Sequence, residues 1–162
     1  PLAEALPLLR EQLRVVASAV LYDPRNESPY TFAVGLARLA LELHASEGNG
    51  GDGDRAALVQ FVEEVARVAA TTDVHGIADT HPSADMGAGY AAGSTEALRR
   101  THVEAHRDAA LHTLCVLQRD HAAALGIDAG AAATLAENAA QLAKRLADID
   151  PVRRKYWAAL AA

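Results

Sequence analysis

The stretch from Ser94 to Leu125, STEALRRTHVEAHRDAALHTLCVLQRDHAAAL, decides the fold class. At 100° per residue, Val103, His106, Ala110, Leu114 and Leu117 fall on one side of a helix, and His102 lies at the edge of that side. Ser94 is the expected N-cap of this helix and Gly126 the expected stop, so one run of about thirty residues is predicted. No alternation of period two competes with it.

Outward from this helix the chain repeats the pattern. Toward the N-terminus, residues 54 to 70 read as a helix capped by Asp54, with Leu58, Phe61, Val62, Val65 and Val68 on its apolar side. Before it, Gly48 to Gly53 (GNGGDG) ends a helix that opens at Ser28-Pro29 and is expected to turn Phe32, Leu36, Leu39 and Leu43 inward. Residues 2 to 21 form the first helix, with Leu6, Leu9, Leu13, Val16 and Val20 as its stripe, ending before Asp23-Pro24. Toward the C-terminus, Asp128 caps a helix that runs to about Ala147. Asp150-Pro151 then separates a short last helix holding Tyr156, Trp157 and Leu160. The expectation is an all-α fold: an antiparallel bundle of four to six helices in one domain, 1–162, with one long functional loop over 71–93.

Composition narrows the function classes. Hydrophobic residues make up 51% of the 162 residues and aromatics only 4%, so the core must be built from Ala, Leu and Val on closely approaching helices. A ligand site is therefore expected at a bundle end or between subunits. The net charge of −6 argues against nucleic acid as a partner, because that binding depends on a basic surface. No run approaches a membrane span, and no basic-then-apolar signal opens the chain, so a cytoplasmic location is expected. Cys115 is the only cysteine, which rules out an internal disulfide, and it reads as a small buried hydrophobe. Thirteen Arg against two Lys, with abundant Ala, is the bias of GC-rich codons and suggests a high-GC bacterium, where small helical proteins often serve specialised-metabolite pathways.

The chemistry-bearing feature is histidine clustering: six of seven lie between His75 and His121. The i,i+4 spacing of His102 and His106 puts both rings on one helix face. His112 is expected on the charged, solvated side with Asp108. His121 is fifteen residues beyond His106, roughly 22 Å along the axis at 1.5 Å per residue, and cannot share its site. In an up-down bundle the start of the fourth helix meets the connection after the first helix and the loop after the third. That rim gathers Asp23, Arg25, Tyr30, Asp73, His75, Asp79, His81, Asp85, Arg99, His102 and His106, with Tyr90 beside them.

Three functions are open to such a rim. A metal-free enzyme would use His75, His81, His102, His106, Asp79 and Asp85 as acids and bases, with Arg25, Arg99, Tyr30 and Tyr90 holding a small polar or anionic substrate. Elimination, ring closure or isomerisation would need no cofactor, and a second copy or another subunit could complete the site. A metal enzyme would bind Zn²⁺, Ni²⁺ or Fe²⁺ on His102 and His106 with a third ligand. A non-catalytic ligand-binding or accessory subunit would use the loop as a partner surface. We take the metal-free enzyme as the leading reading.

The run His102-Val-Glu-Ala-His106-Arg107 resembles the His-x-x-x-His-Arg segment of the DinB-like metal-binding helical bundles. The resemblance implies a divalent metal, a third histidine from an earlier helix, for which His44 is the nearest candidate, and a transferase or isomerase activity. Asp108-Ala109 stands where that family has Gly-Gln.

Other patterns reduce to structure. GNGGDG lacks the Lys-Ser/Thr ending of a phosphate loop. Glu63-Glu64 lies on a helical surface, Ser94 serves as a cap, and Arg153-Arg154-Lys155 reads as a solvated last turn beside an anchoring Trp157.

Overall fold

A computed structural model of the chain describes residues 1–47, 51–71 and 92–161, with side chains of the fourth helix from Arg100 onward. Among the described residues there are seven helices and no strand: α1 (Leu2–Tyr22), α2 (Glu27–Ser46), α3 (Asp52–Ala70), α4 (Ala92–Asp120), α5 (Ala122–Leu125), α6 (Ala129–Ile149) and α7 (Arg154–Leu160). The fold is all-α, and none of these helices is long and apolar enough to cross a membrane. The loop expected over 71–93 lies almost wholly outside the described residues.

The α1 stripe packs as its spacing dictates: Leu2, Leu6, Leu9, Leu13, Val16 and Val20 are all buried. Asn26 caps α2 by accepting a 3.0 Å hydrogen bond from the Ser28 amide, satisfying one of the free amides at a helix start. Asp128 does the same for α6, accepting from the Ala131 amide at 2.8 Å. Gly51 rather than Asp54 precedes α3, so Asp54 sits in the first turn, where its charge suits the helix dipole. The expected thirty-residue fourth helix is interrupted at His121, and a single further turn, α5, closes at Gly126. There φ is +68°, and the Ile127 amide bonds back to the Ala122 carbonyl, a glycine-dependent stop.

Helix α2 buries a face rotated from the predicted one: Leu36 is buried and Leu43 packs against the core as expected, but Phe32 and Leu39 do not turn inward. Ala33, Ala37, Ala40 and Leu41 are fully enclosed, whereas Phe32 is 51% and Leu39 44% exposed. The physical reason is the number of neighbours. α2 touches α1, α3 and α4, and a stripe of alanines lets three helices approach it where Phe and Leu would hold them apart.

Helix α4 packs against α2 and α3 on one side and, over its greatest length, against α6 on the other. Ala110, Leu114 and Leu117 join the main core. Ala105 joins a second cluster with Leu146 of α6 and Trp157 of α7. The α4–α6 contact also carries charge. Asp108 is 1% exposed and is held by Arg107 at 2.9 Å and by Arg145 of α6 at 3.1 Å, while Arg145 also reaches Glu104 at 3.0 Å. These contacts join the middle of α4 to the late part of α6.

This second layer corrects the reading of His112. It is buried, not solvated, and its ring meets the Trp157 indole edge-on at 5.4 Å between centroids. The charged side of α4 is not a solvent face, because α6 and α7 cover it.

Candidate functional site

A cleft of about 610 Å³ lies between the start of α2, the middle of α4 and α7. Glu27, Tyr30, Val34 and Arg38 come from α2, His106, Ala109 and Thr113 from α4, and Arg153, Tyr156 and Trp157 from the C-terminal segment. The spacing on α4 explains its part. His106 falls between the side facing α2 and α3 and the side facing α6 and α7, with Thr113 two turns further along the same line.

The C-terminal wall is held by one carboxylate. Asp150 Oδ2 accepts from Trp157 Nε1 at 2.9 Å and from Arg153 Nε at 2.7 Å. Arg153 Nη1 continues to Glu27 Oε1 at 2.8 Å, tying α7 to the first turn of α2, and its guanidinium lies 5.8 Å from the Trp157 ring centre. Burial pushes the Asp150 carboxyl up, but the hydrogen bonds from Trp157 and Arg153 and the Arg153 charge outweigh it and hold the group below the usual range. For Arg153, burial works against the charge, while Glu27 and Asp150 more than offset it, so its pKa is raised.

Two polar atoms of the cleft are buried without a hydrogen-bond partner among the described residues: Tyr30 Oη and His106 Nδ1. Their rings lie 6.3 Å apart, and His102 stands a further 6.3 Å from His106, on the exposed side. Glu27 Oε2 is 4.0 Å from His106 Nδ1, close enough for charge attraction and too far for a hydrogen bond. Burial lowers the His106 pKa most. The Glu27 charge and the Arg25 backbone pull it upward, and His102 and Arg153 pull it down again, leaving a net depression. Burial likewise raises the Tyr30 pKa, against the Arg107 charge and with the Asp23 charge. At neutral pH the pair is therefore an uncharged imidazole beside an uncharged phenol.

Of the residues expected from sequence, the structure brings Tyr30, His102 and His106 together, with Arg25 near by. The Arg25 side chain is exposed and turned to Asp23, which accepts its Nε at 3.1 Å. His75, His81, Asp79, Asp85, Asp73 and Tyr90 lie outside the described residues, as does the side chain of Arg99. His44 is not with the pair. It is buried at the opposite end of α2, fourteen residues beyond Tyr30 and so about 21 Å along the axis. A ligand set of His102, His106 and His44 does not meet at one point. Among the described residues no three His, Cys, Asp or Glu side chains gather as metal ligands. Burial raises the Cys115 thiol pKa, so its thiolate is disfavoured.

Sequence reasoning passed over Glu27 and Arg38, gave Trp157 only an anchoring role, and read Arg153 as part of a solvated last turn, whereas it is ion-paired to Asp150 and Glu27 on the cleft wall. Asp150 and Arg153 at i,i+3, ahead of the only tryptophan, were the available signal for a structured C-terminal wall. Comparison with known protein families, curated proteins and solved structures finds no match to this chain.

Proposed function

We propose that the chain is a small-molecule enzyme or enzyme subunit whose α2/α4/α7 cleft carries metal-free acid–base chemistry: proton transfer leading to elimination, ring closure or isomerisation. The observation that carries this reading is the pair of buried polar atoms, Tyr30 Oη and His106 Nδ1, that stand at one cleft without a hydrogen-bond partner among the described residues. Each unsatisfied buried group costs about 1–3 kcal/mol, a cost that persists most readily where a bound molecule supplies the missing partner. His106, neutral at pH 7 and shielded from water, is suited to accept a proton, and Glu27 at 4.0 Å would stabilise the imidazolium that forms. Tyr30 is suited to donate a hydrogen bond to oxygen on the substrate. Arg38 lies on the same cleft about 12 Å along α2 from Tyr30, is exposed, and has no hydrogen-bond or ion-pair partner among the described residues, so it favours an anionic substrate.

The test is a panel of aromatic and aliphatic monocarboxylates, followed through the ring nitrogens of His106 by NMR and through deuterium wash-in from D₂O. One or more acids should shift His106 and exchange a carbon-bound proton, and His106→Asn should abolish the exchange with the fold intact. A His106 signal that no acid moves would overturn the reading.

A divalent-metal reading is favoured by one observation, the adjacent rings of His102 and His106. Those two imidazoles would supply two ligands, and the metal would act as a Lewis acid on a bound oxygen. Stoichiometric metal in protein purified without a His-tag, lost in the His102→Ala/His106→Ala double variant, would favour this reading over the metal-free one.

A further inference from the structure

Leu8, Val15 and Tyr22 of α1 recur every seven residues and are 66, 63 and 80% exposed, and Phe32 and Leu39 of α2 repeat the same interval. The two rows border one seam. From α1, helix α3 lies on the flank of Arg10, Arg14 and Ala17, where Arg10 binds Glu64. The row of Leu8, Val15 and Tyr22 is on the opposite flank, toward α2. From α2, helix α4 lies on the flank of Glu27, Thr31 and Arg38, and Phe32 and Leu39 are again on the opposite flank, toward α1. Because a four-residue connection makes α1 and α2 antiparallel, the five side chains interleave in the order Tyr22, Phe32, Val15, Leu39, Leu8 over roughly 21 Å.

We propose that a second copy of this chain covers the seam, giving a two-fold symmetric dimer whose axis passes beside Val15 and Gly35. Two observations select that occupant. The five side chains expose roughly 600 Å² per copy, at the upper end of apolar patches on monomers. Two such patches reach roughly 1,200 Å², the lower end of the range for a stable pair. The row is also self-complementary. Val15 is its midpoint, so reversing it on itself sets Val15 on Val15 and Leu8 on Tyr22, while Phe32 meets Leu39 about Gly35, and each aromatic ring lands on an aliphatic side chain of the partner.

The experiment combines sedimentation equilibrium with cysteine pairing in a Cys115→Ala background, with circular dichroism confirming the fold of each variant. The chain should dimerise at micromolar concentration, and Val15→Glu should weaken the dimer at least ten-fold without changing helicity, since Val15 touches solvent in the monomer. Val15→Cys should oxidise to a covalent dimer, Tyr22→Cys alone should not, and Tyr22→Cys mixed with Leu8→Cys should give the crossed pair. A monomer at 100 µM, a dimer indifferent to Val15→Glu, or equal cross-linking of the Val15→Cys and Tyr22→Cys variants would each overturn the proposal.

Discussion

His106 Nδ1 stands 4.0 Å from one oxygen of Glu27, whose other oxygen is taken by Arg153 at 2.8 Å. One carboxylate thus faces both the ring on α4 and the cation that anchors α7. Its charge pulls the His106 pKa upward against the larger effect of burial. Glu27→Gln removes that charge, and the His106 titration midpoint should move further down in an NMR pH series. A midpoint left in place would mean that Glu27 serves only as the seat of Arg153.

Burial lowers the pKa of His106 and, with a smaller push from Arg119, that of His112. Both rings therefore bind protons more readily in the unfolded chain, whose histidines titrate near 6.5. The sign follows: above about 6.5 neither state is protonated and stability is at its plateau, and as pH falls through 6.5 toward the folded values stability is lost. Melting temperature should decline from pH 7.5 to 5.5, and His112→Leu, which keeps an apolar contact on Trp157, should flatten the decline. A slope the same in wild type and His112→Leu would remove His112 from this account.

How much of this was legible in sequence depends on what set each residue's surroundings. The helices were, because stripes such as Leu6, Leu9, Leu13, Val16 and Val20 on α1 follow a period that one buried face imposes. The inward face of α2 was only partly so: Leu36 and Leu43 turn in as their spacing predicts, Phe32 and Leu39 do not. Residue size favours Phe32 and Leu39, whereas three neighbouring helices require Ala33, Ala37 and Ala40, a demand visible only once the neighbours are placed. His102 and His106 were legible as a pair from i,i+4 spacing alone. Glu27, 126 residues from Arg153, was not, since no local pattern joins them.

The alanine face yields its own prediction. Ala37 is fully buried, so Ala37→Leu adds volume where three helices converge. It should cost about 1–3 kcal/mol in denaturant unfolding, the ordinary penalty of overpacking. A neutral result would mean that α2 is not held as closely as its alanines imply.

Trp157 is 4% exposed and gives its indole hydrogen to Asp150, while packing on His112 and Tyr156. Trp157→Ala removes both packing and donor and should cost about 3–5 kcal/mol. Trp157→Phe keeps most of the packing and should cost about 1–2 kcal/mol, because Asp150 retains Arg153 as a partner. Equal losses for the two would show that the hydrogen bond, and not the ring's bulk, secures α7.

Tyr30 separates a folding role from a binding role. Its ring is buried in the core, yet its hydroxyl has no hydrogen-bond partner among the described residues. A hydroxyl kept only by packing is a liability, so Tyr30→Phe should raise the stability of the unliganded chain by about 1 kcal/mol. If the hydroxyl binds substrate, the same variant should lose the stabilisation that a bound carboxylate gives the wild type, although nothing else in the cleft has changed. Thermal melts with and without the acid that shifts His106 separate the cases. A more stable variant that no longer responds to the acid is expected. A variant that is less stable and still responds would assign the hydroxyl to the fold, with an ordered water as its partner.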